Sequence, residues 1–199
     1  MAGGKRLARR LGAWICFADE AGFTLKPAKA TTWAPRGNTP SLVVGVKSSK
    51  RLSIAGLACY HHQHPPRMIY RIRRHHGSTG EPKGFKEPDF AAILDTVHQQ
   101  LGAPIIVIWD GLPQHVSTRM HDLIATRAWL HTYQLPSHSP HLNPSENIWS
   151  NLRRGLANLT PGTLDQLYTT IRKRLKDIQK RTPLLHGFLK STHLTPLRP

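Results

Sequence analysis

Apolar positions follow two spacings along this chain. The continuous run Ala13-Trp14-Ile15-Cys16-Phe17-Ala18, closed by Asp19, predicts a buried strand over 13–19. Further strands are expected over 31–35 and 41–46, around an Arg36-Gly37-Asn38 turn, then over 51–60 and, with a weaker pattern, 68–72. Residues 73–86 are polar and glycine-bearing, and read as a mobile loop. Beyond Pro88 the spacing lengthens: Phe90, Ile93, Leu94, Val97 and Leu101 predict a helix that Gly102 stops. Residues 105–110 form an unbroken apolar strand of the kind covered on both faces. A helix near 115–127, a short strand over 130–135 and helices over 144–158 and 163–180 complete the expectation. Strands first, then alternating helix and strand, predict an α/β chain with a mixed central sheet flanked by helices.

Composition sharpens this picture in one respect. The chain of 199 residues has 28 basic and 11 acidic side chains, a formal charge of +17. Basic residues are scattered through elements and loops, which suits a broad footprint on a polyanion, nucleic acid before an anionic membrane surface. No apolar stretch approaches the ~20 residues that span a bilayer. Cys16 and Cys59 each sit in an apolar run, as buried free thiols of a reducing compartment do.

With so few acids, their placement matters. Asp19 and Asp110 each close a buried strand, and Glu146 stands at the start of an amphipathic helix. A carboxylate at a buried strand end costs desolvation, so it is usually paired or bound to metal. Three such groups could form a divalent-cation site acting on a phosphodiester. Plainer roles remain open. Asp110, before Gly111 and Pro113, suits a turn. Glu146, third after an Asn143 cap and a Pro144 first position, suits a capping box. It also lies roughly 110° from the centre of the face formed by Ile148, Trp149, Leu152, Leu156 and Leu159, at a rim from which it could reach a metal. Arg153, two turns on, could then meet a phosphate. The histidines at 61, 62, 64, 75, 76, 138 and 141 lack the spacing of a zinc site. Neither a phosphate-cradling glycine loop nor a nucleophile elbow is present.

Taken together, the motifs resemble a known family. Phe17-Ala-Asp19-Glu20-Ala-Gly22-Phe23 with Thr32-Trp33-Ala-Pro35-Arg-Gly37, then Val107-Ile-Trp-Asp110-Gly-Leu-Pro-Gln-His115, then Leu135-Pro-Ser-His-Ser-Pro140-His-Leu142-Asn143-Pro144-Ser-Glu146-Asn-Ile-Trp149, resemble in order the three blocks of bacterial DDE transposases of the insertion sequence 630 family, relatives of the mariner elements. The 35 residues between Asp110 and Glu146 suit that family, and the resemblance runs from about 12 to about 190.

The resemblance implies a ribonuclease-H-like fold over 13–190, preceded by a basic linker remnant at 1–12 and followed by a tail at 191–199. It implies that Asp19, Asp110 and Glu146 hold two Mg²⁺ or Mn²⁺ ions, cut the ends of a mobile element and join them to target DNA. His115 would contact a phosphate or a residue of the site, Arg153 and Arg154 would contact DNA, and Trp109 and Trp149 would pack beside the site. Departures are Gly111, where Asn is usual, and His138 and His141, where Tyr and an acid are usual. The helix-turn-helix region that reads element ends in such proteins is not expected here, so a separately encoded partner could supply it. A homodimer assembled on DNA and a bacterial cytoplasmic, nucleoid-associated location are expected. Two rival readings remain: a non-catalytic DNA-binding remnant, and a ribonuclease-H-like nuclease with another role.

Overall fold

The computed structural model describes residues 2–26, 35–38, 49–137, 139–157, 159 and 161–194. Its centre is a five-stranded sheet in the order β3-β2-β1-β4-β5. The strands are β1 (Trp14–Thr24), β2 (Arg51–Tyr60), β3 (Arg67–His75), β4 (Ile105–Trp109) and β5 (Leu130–Gln134). β1, β2 and β3 form an antiparallel meander, and β4 and β5 join β1 in parallel.

Alternation along each strand feeds two cores. On one face Ile15, Phe17, Ile54, Ile106 and Ile108 pack against α5 (Pro144–Gly155), α6 (Leu164–Gln179) and α7 (Thr182–Lys190). On the other, Trp14, Cys16, Leu57, Ile105 and Val107 meet α2 (Glu87–Leu101) and Met120 of α4 (Thr118–Ala125). Both faces of β4 are covered, which is why its sequence is apolar at every position. Cys16 and Cys59 face each other across β1 and β2 as buried free thiols.

Local chemistry sets the helix ends. Gly102 adopts φ 63°, a left-handed cap that ends α2. Thr163 and Gln166 form a capping box at the start of α6. Asn143 caps α5 by accepting from the Ser145 backbone N–H at 3.0 Å.

Several expectations need correction. β1 runs to Thr24 rather than ending at Asp19, because β2 pairs with it through that residue. β3 continues to His75, through residues expected to be loop: Arg74 lies over the Tyr168 ring at 3.8 Å, and Arg73 is bonded to Asp89. The segment that follows is anchored, with Glu81 accepting the His76 N–H at 2.7 Å and Phe85 buried. The helix expected near 115–127 is broken into α3 (Pro113–Val116) and α4, because Ser117 is extended and caps α4 through Met120 N–H. Two helices were not anticipated. α1 (Ala2–Leu11) occupies the region read as a linker, with Ala8 buried. α7 buries Leu185, Phe188 and Leu189. The Arg36-Gly37-Asn38 turn is present, with Asn38 N–H donating to Pro35 C=O at 3.0 Å. The strands expected over 31–35 and 41–46 lie outside the described residues, apart from Pro35.

Candidate active site

The parallel pairing of β1 with β4 ends at Phe17 and Ile108. Asp19 and Asp110 therefore each stand two residues past the last paired row, at one level of the sheet. Past that row β1 has a partner on only one side, and the start of α5 takes the other. Ser145 Oγ donates to the Phe17 carbonyl at 2.8 Å, and Asn143 Nδ2 to the Ala18 carbonyl at 3.5 Å. The Trp149 indole N–H donates to Asp19 Oδ2 at 3.0 Å. Asn143, Ser145 and Trp149 are all buried. The helix that carries Glu146 is thus bonded to the strand that carries Asp19.

Asp19 is poorly compensated. Its oxygens accept one bond each, from Trp149 and from the Glu20 backbone N–H at 2.8 Å. Burial, then the charge of Glu146 and more weakly that of Asp110, nevertheless push its carboxyl up to about 7, against those two bonds. No ion pair engages Asp19 or Glu146 among the described residues. Glu146 forms no capping box, leaving its carboxylate over an open hollow lined by His141, Asn147 and Ser191.

Asp110 is held differently. Partial burial works to raise its carboxyl, but the His115 ring, bonded to Oδ1 at 2.8 Å, and the Leu112 N–H hold it below the usual carboxylate range. His115 itself is 3% exposed, stacked on Trp109 at 4.5 Å between ring centroids and edge-on to Phe90. In that position its ring meets Asp110.

Asp19 and Asp110 stand at one level of the sheet and Glu146 on the helix bonded to β1, without the three closing on one point. Among the described residues, no group of three His, Cys, Asp or Glu side chains is close enough to hold a single ion. The bonds from His115 and the Leu112 N–H both engage Oδ1 of Asp110. The donors still suit a hard divalent cation: all are carboxylate oxygens, and among the described residues the half-buried Asp19 has no ion-pair partner.

Arg153 and Arg154 are exposed on α5. Arg153 lies over the Phe23 ring at 5.8 Å and lines a cavity of about 280 Å³ with Lys26 and Leu156. Trp109 and Trp149 are both buried beside the acids, and His138 lies outside the described residues.

Sequence reasoning missed two participants. Glu20 is a partly buried acid that accepts from Gln114 Nε2 at 3.2 Å, and burial, eased by Gln114 and His115, raises its carboxyl. The Asp19-Glu20 pair in an acid-poor chain was its signal. Gly56, paired directly with Asp19, lies under the Trp149 ring. A glycine inside a strand hints at such a close approach.

Residues 14–168 match the family described as DDE superfamily endonuclease. No curated protein matches the chain. Among solved structures, the chain resembles the Mos1 transposase paired-end complex with left transposon end, at 13% identity and TM-score 0.63, covering 96% of this chain and 57% of that one. It also resembles the Mos1 mariner paired-end complex with Mn, at 14% identity and TM-score 0.63, covering 96% and 58%. The catalytic domain of Mos1 mariner transposase aligns at 12% identity and TM-score 0.54, over 98% of this chain and 90% of that chain. The chain therefore spans somewhat more than half of the chains in the two DNA complexes. These likenesses establish the ribonuclease-H-like fold: a mixed five-stranded sheet flanked by helices.

Proposed function

The chain belongs to the DDE superfamily of endonucleases, and from that premise we propose that it is the catalytic region of a transposase of the insertion sequence 630 group, cutting element ends and joining them to target DNA. One observation carries the reading. Asp19 and Asp110 stand at one level on adjacent parallel strands, and Glu146 on α5 is close enough for its charge to raise Asp19.

Asp19, Asp110 and Glu146 would hold Mg²⁺ or Mn²⁺, two ions in our reading. Bound there, such ions would activate the attacking oxygen and stabilise the leaving one. The remaining residues organise the acids. His115 orients Asp110, Trp109 and Phe90 keep water from that ring, and the bonds from Asn143, Ser145 and Trp149 fix α5 on β1. Arg153 and Arg154, two turns beyond Glu146, would meet DNA phosphates. The solved Mos1 complexes with transposon-end DNA support DNA as the partner. A homodimer across two ends belongs to the same proposal, and so does end recognition by a helix-turn-helix region.

A second reading, DNA binding without cleavage, draws on the fact that among the described residues no three acids lie close enough to hold one ion. Mn²⁺-dependent nicking of supercoiled plasmid separates the two. Nicking by the wild type that Asp110→Asn and Glu146→Gln abolish is the expected result. DNA binding with no nicking in any metal would leave the second reading in its place. Nicking indifferent to the presence of element ends would favour a ribonuclease-H-like nuclease with another role.

A further inference from the structure

Asp19 owes its orientation to a side chain on another element. The Trp149 ring is fully buried, and its N–H meets Asp19 Oδ2 at 3.0 Å. The ring can lie there only because the position opposite Asp19 has no side chain. Directly paired residues in neighbouring strands present their side chains to the same face, and Asp19 pairs with Gly56. A Cβ on Gly56 would sit 2.6 Å from Cη2 and 3.0 Å from Cζ2 of Trp149, closer than packed carbons approach. Neither the indole nor the β2 backbone can yield cheaply, since Ile148 and Leu152 flank the ring's helix in the core and β2 is paired on both sides.

We propose that Trp149 and Gly56 together are positioning residues: the glycine leaves the space, the indole occupies it, and the indole N–H fixes the plane of the Asp19 carboxylate for a divalent cation. Each Asp19 oxygen has one lone pair engaged, Oδ1 by the Glu20 N–H and Oδ2 by the indole, which leaves one on each oxygen free to face a cation. The link also fixes reach, because Trp149 lies three residues after Glu146 on the same helix. One ring thereby sets the distance and orientation of two acids. This inference rests on the functional reading above.

The test is Mn²⁺ binding by titration calorimetry, with plasmid nicking in parallel, on wild type, Trp149→Phe, Gly56→Ala and the double variant. Trp149→Phe keeps an aromatic ring in the core and removes the N–H. It should weaken Mn²⁺ binding by about 10- to 100-fold, the usual effect of removing a group that orients a metal ligand, and raise the Mn²⁺ concentration for half-maximal nicking in step. Gly56→Ala should lower the melting temperature in the wild type but far less in Trp149→Phe, whose shorter ring does not reach the new methyl. Unchanged Mn²⁺ affinity in a folded Trp149→Phe would overturn this inference alone, the wild type still binding and cutting. Equal destabilisation by Gly56→Ala in both backgrounds would overturn the glycine's part. A wild type that neither binds Mn²⁺ nor nicks would overturn the functional reading and this role with it.

Discussion

Asp19 and Asp110 are two copies of one residue type at one level of one sheet, and their surroundings push them in opposite directions. Asp19 faces the α5 side, with an acid as neighbour and no cation, and its carboxyl rises to about 7. Asp110, whose side chain is 46% exposed, meets a buried histidine that holds its carboxyl low. Strand position therefore does not set the chemistry of an acid. What sets it is depth and the partner that the neighbouring helix presents: Trp149 and Glu146 from α5 in one case, His115 from α3 in the other.

The largest expected effect treats the two alike. Asp19→Asn and Asp110→Asn should each lower Mn²⁺-dependent nicking by about a thousandfold or more, because a missing carboxylate removes charge stabilisation at the reacting phosphate. Wild-type rates in either variant would break the pairing of these acids.

Stability should separate them. Asp19 carries a raised carboxyl, so its contribution is full below the unfolded value and is lost as pH rises through about 7. Metal-free Asp19→Asn should thus be more stable than wild type at pH 8, by on the order of 3 kcal/mol, with the gain gone by pH 4. Asp110 has the opposite sign: its contribution is present above the usual carboxylate value and is lost as pH falls through its lower folded one. Asp110→Asn should give no gain at pH 8. Urea melts across pH 4–8 decide this, and equal behaviour of the two variants would contradict the contrast.

A smaller effect tests the His115 side alone. His115→Phe preserves the stack on Trp109 and removes the bond to Asp110. Nicking should fall about tenfold, and the loss of stability in acid attributed to Asp110 should shrink. An unchanged rate would mean that Asp110 does not need its histidine. The smallest effect lies away from both acids. Arg153→Ala or Arg154→Ala should each reduce the salt dependence of DNA binding by about one counterion, a slope change near 0.9. Filter binding across salt concentrations measures it, and an unaltered slope would remove these arginines from the interface.

Much of this arrangement was legible in residue order. The apolar runs located β1, β2 and β4, the 3.6-residue spacing located α2, α5 and α6, and all three acids stood out because the chain has few. Glu146 shows where such reasoning stops. Its place after Asn143 suited a capping box equally well, and only the fold leaves its carboxylate over an open hollow, where its charge is felt by Asp19. For His115 the resemblance left a phosphate or a residue of the site as its partner, and only the fold shows its ring enclosed by Trp109 and Phe90. The extension of β3 to His75 was hidden because its arginines find partners on other elements, Asp89 on α2 and Tyr168 on α6.

The sequence by itself determined periodicity, caps and the chemical inventory, since these depend on neighbours a few residues apart. Burial depth, the opposite shifts of two aspartates and the fit of an indole over a glycine depend on residues far apart in the chain: Trp149 follows Asp19 by 130 positions. No local pattern encodes such a meeting. It exists only once the sheet has paired and α5 has packed on β1, because proximity across a core is a property of the whole fold.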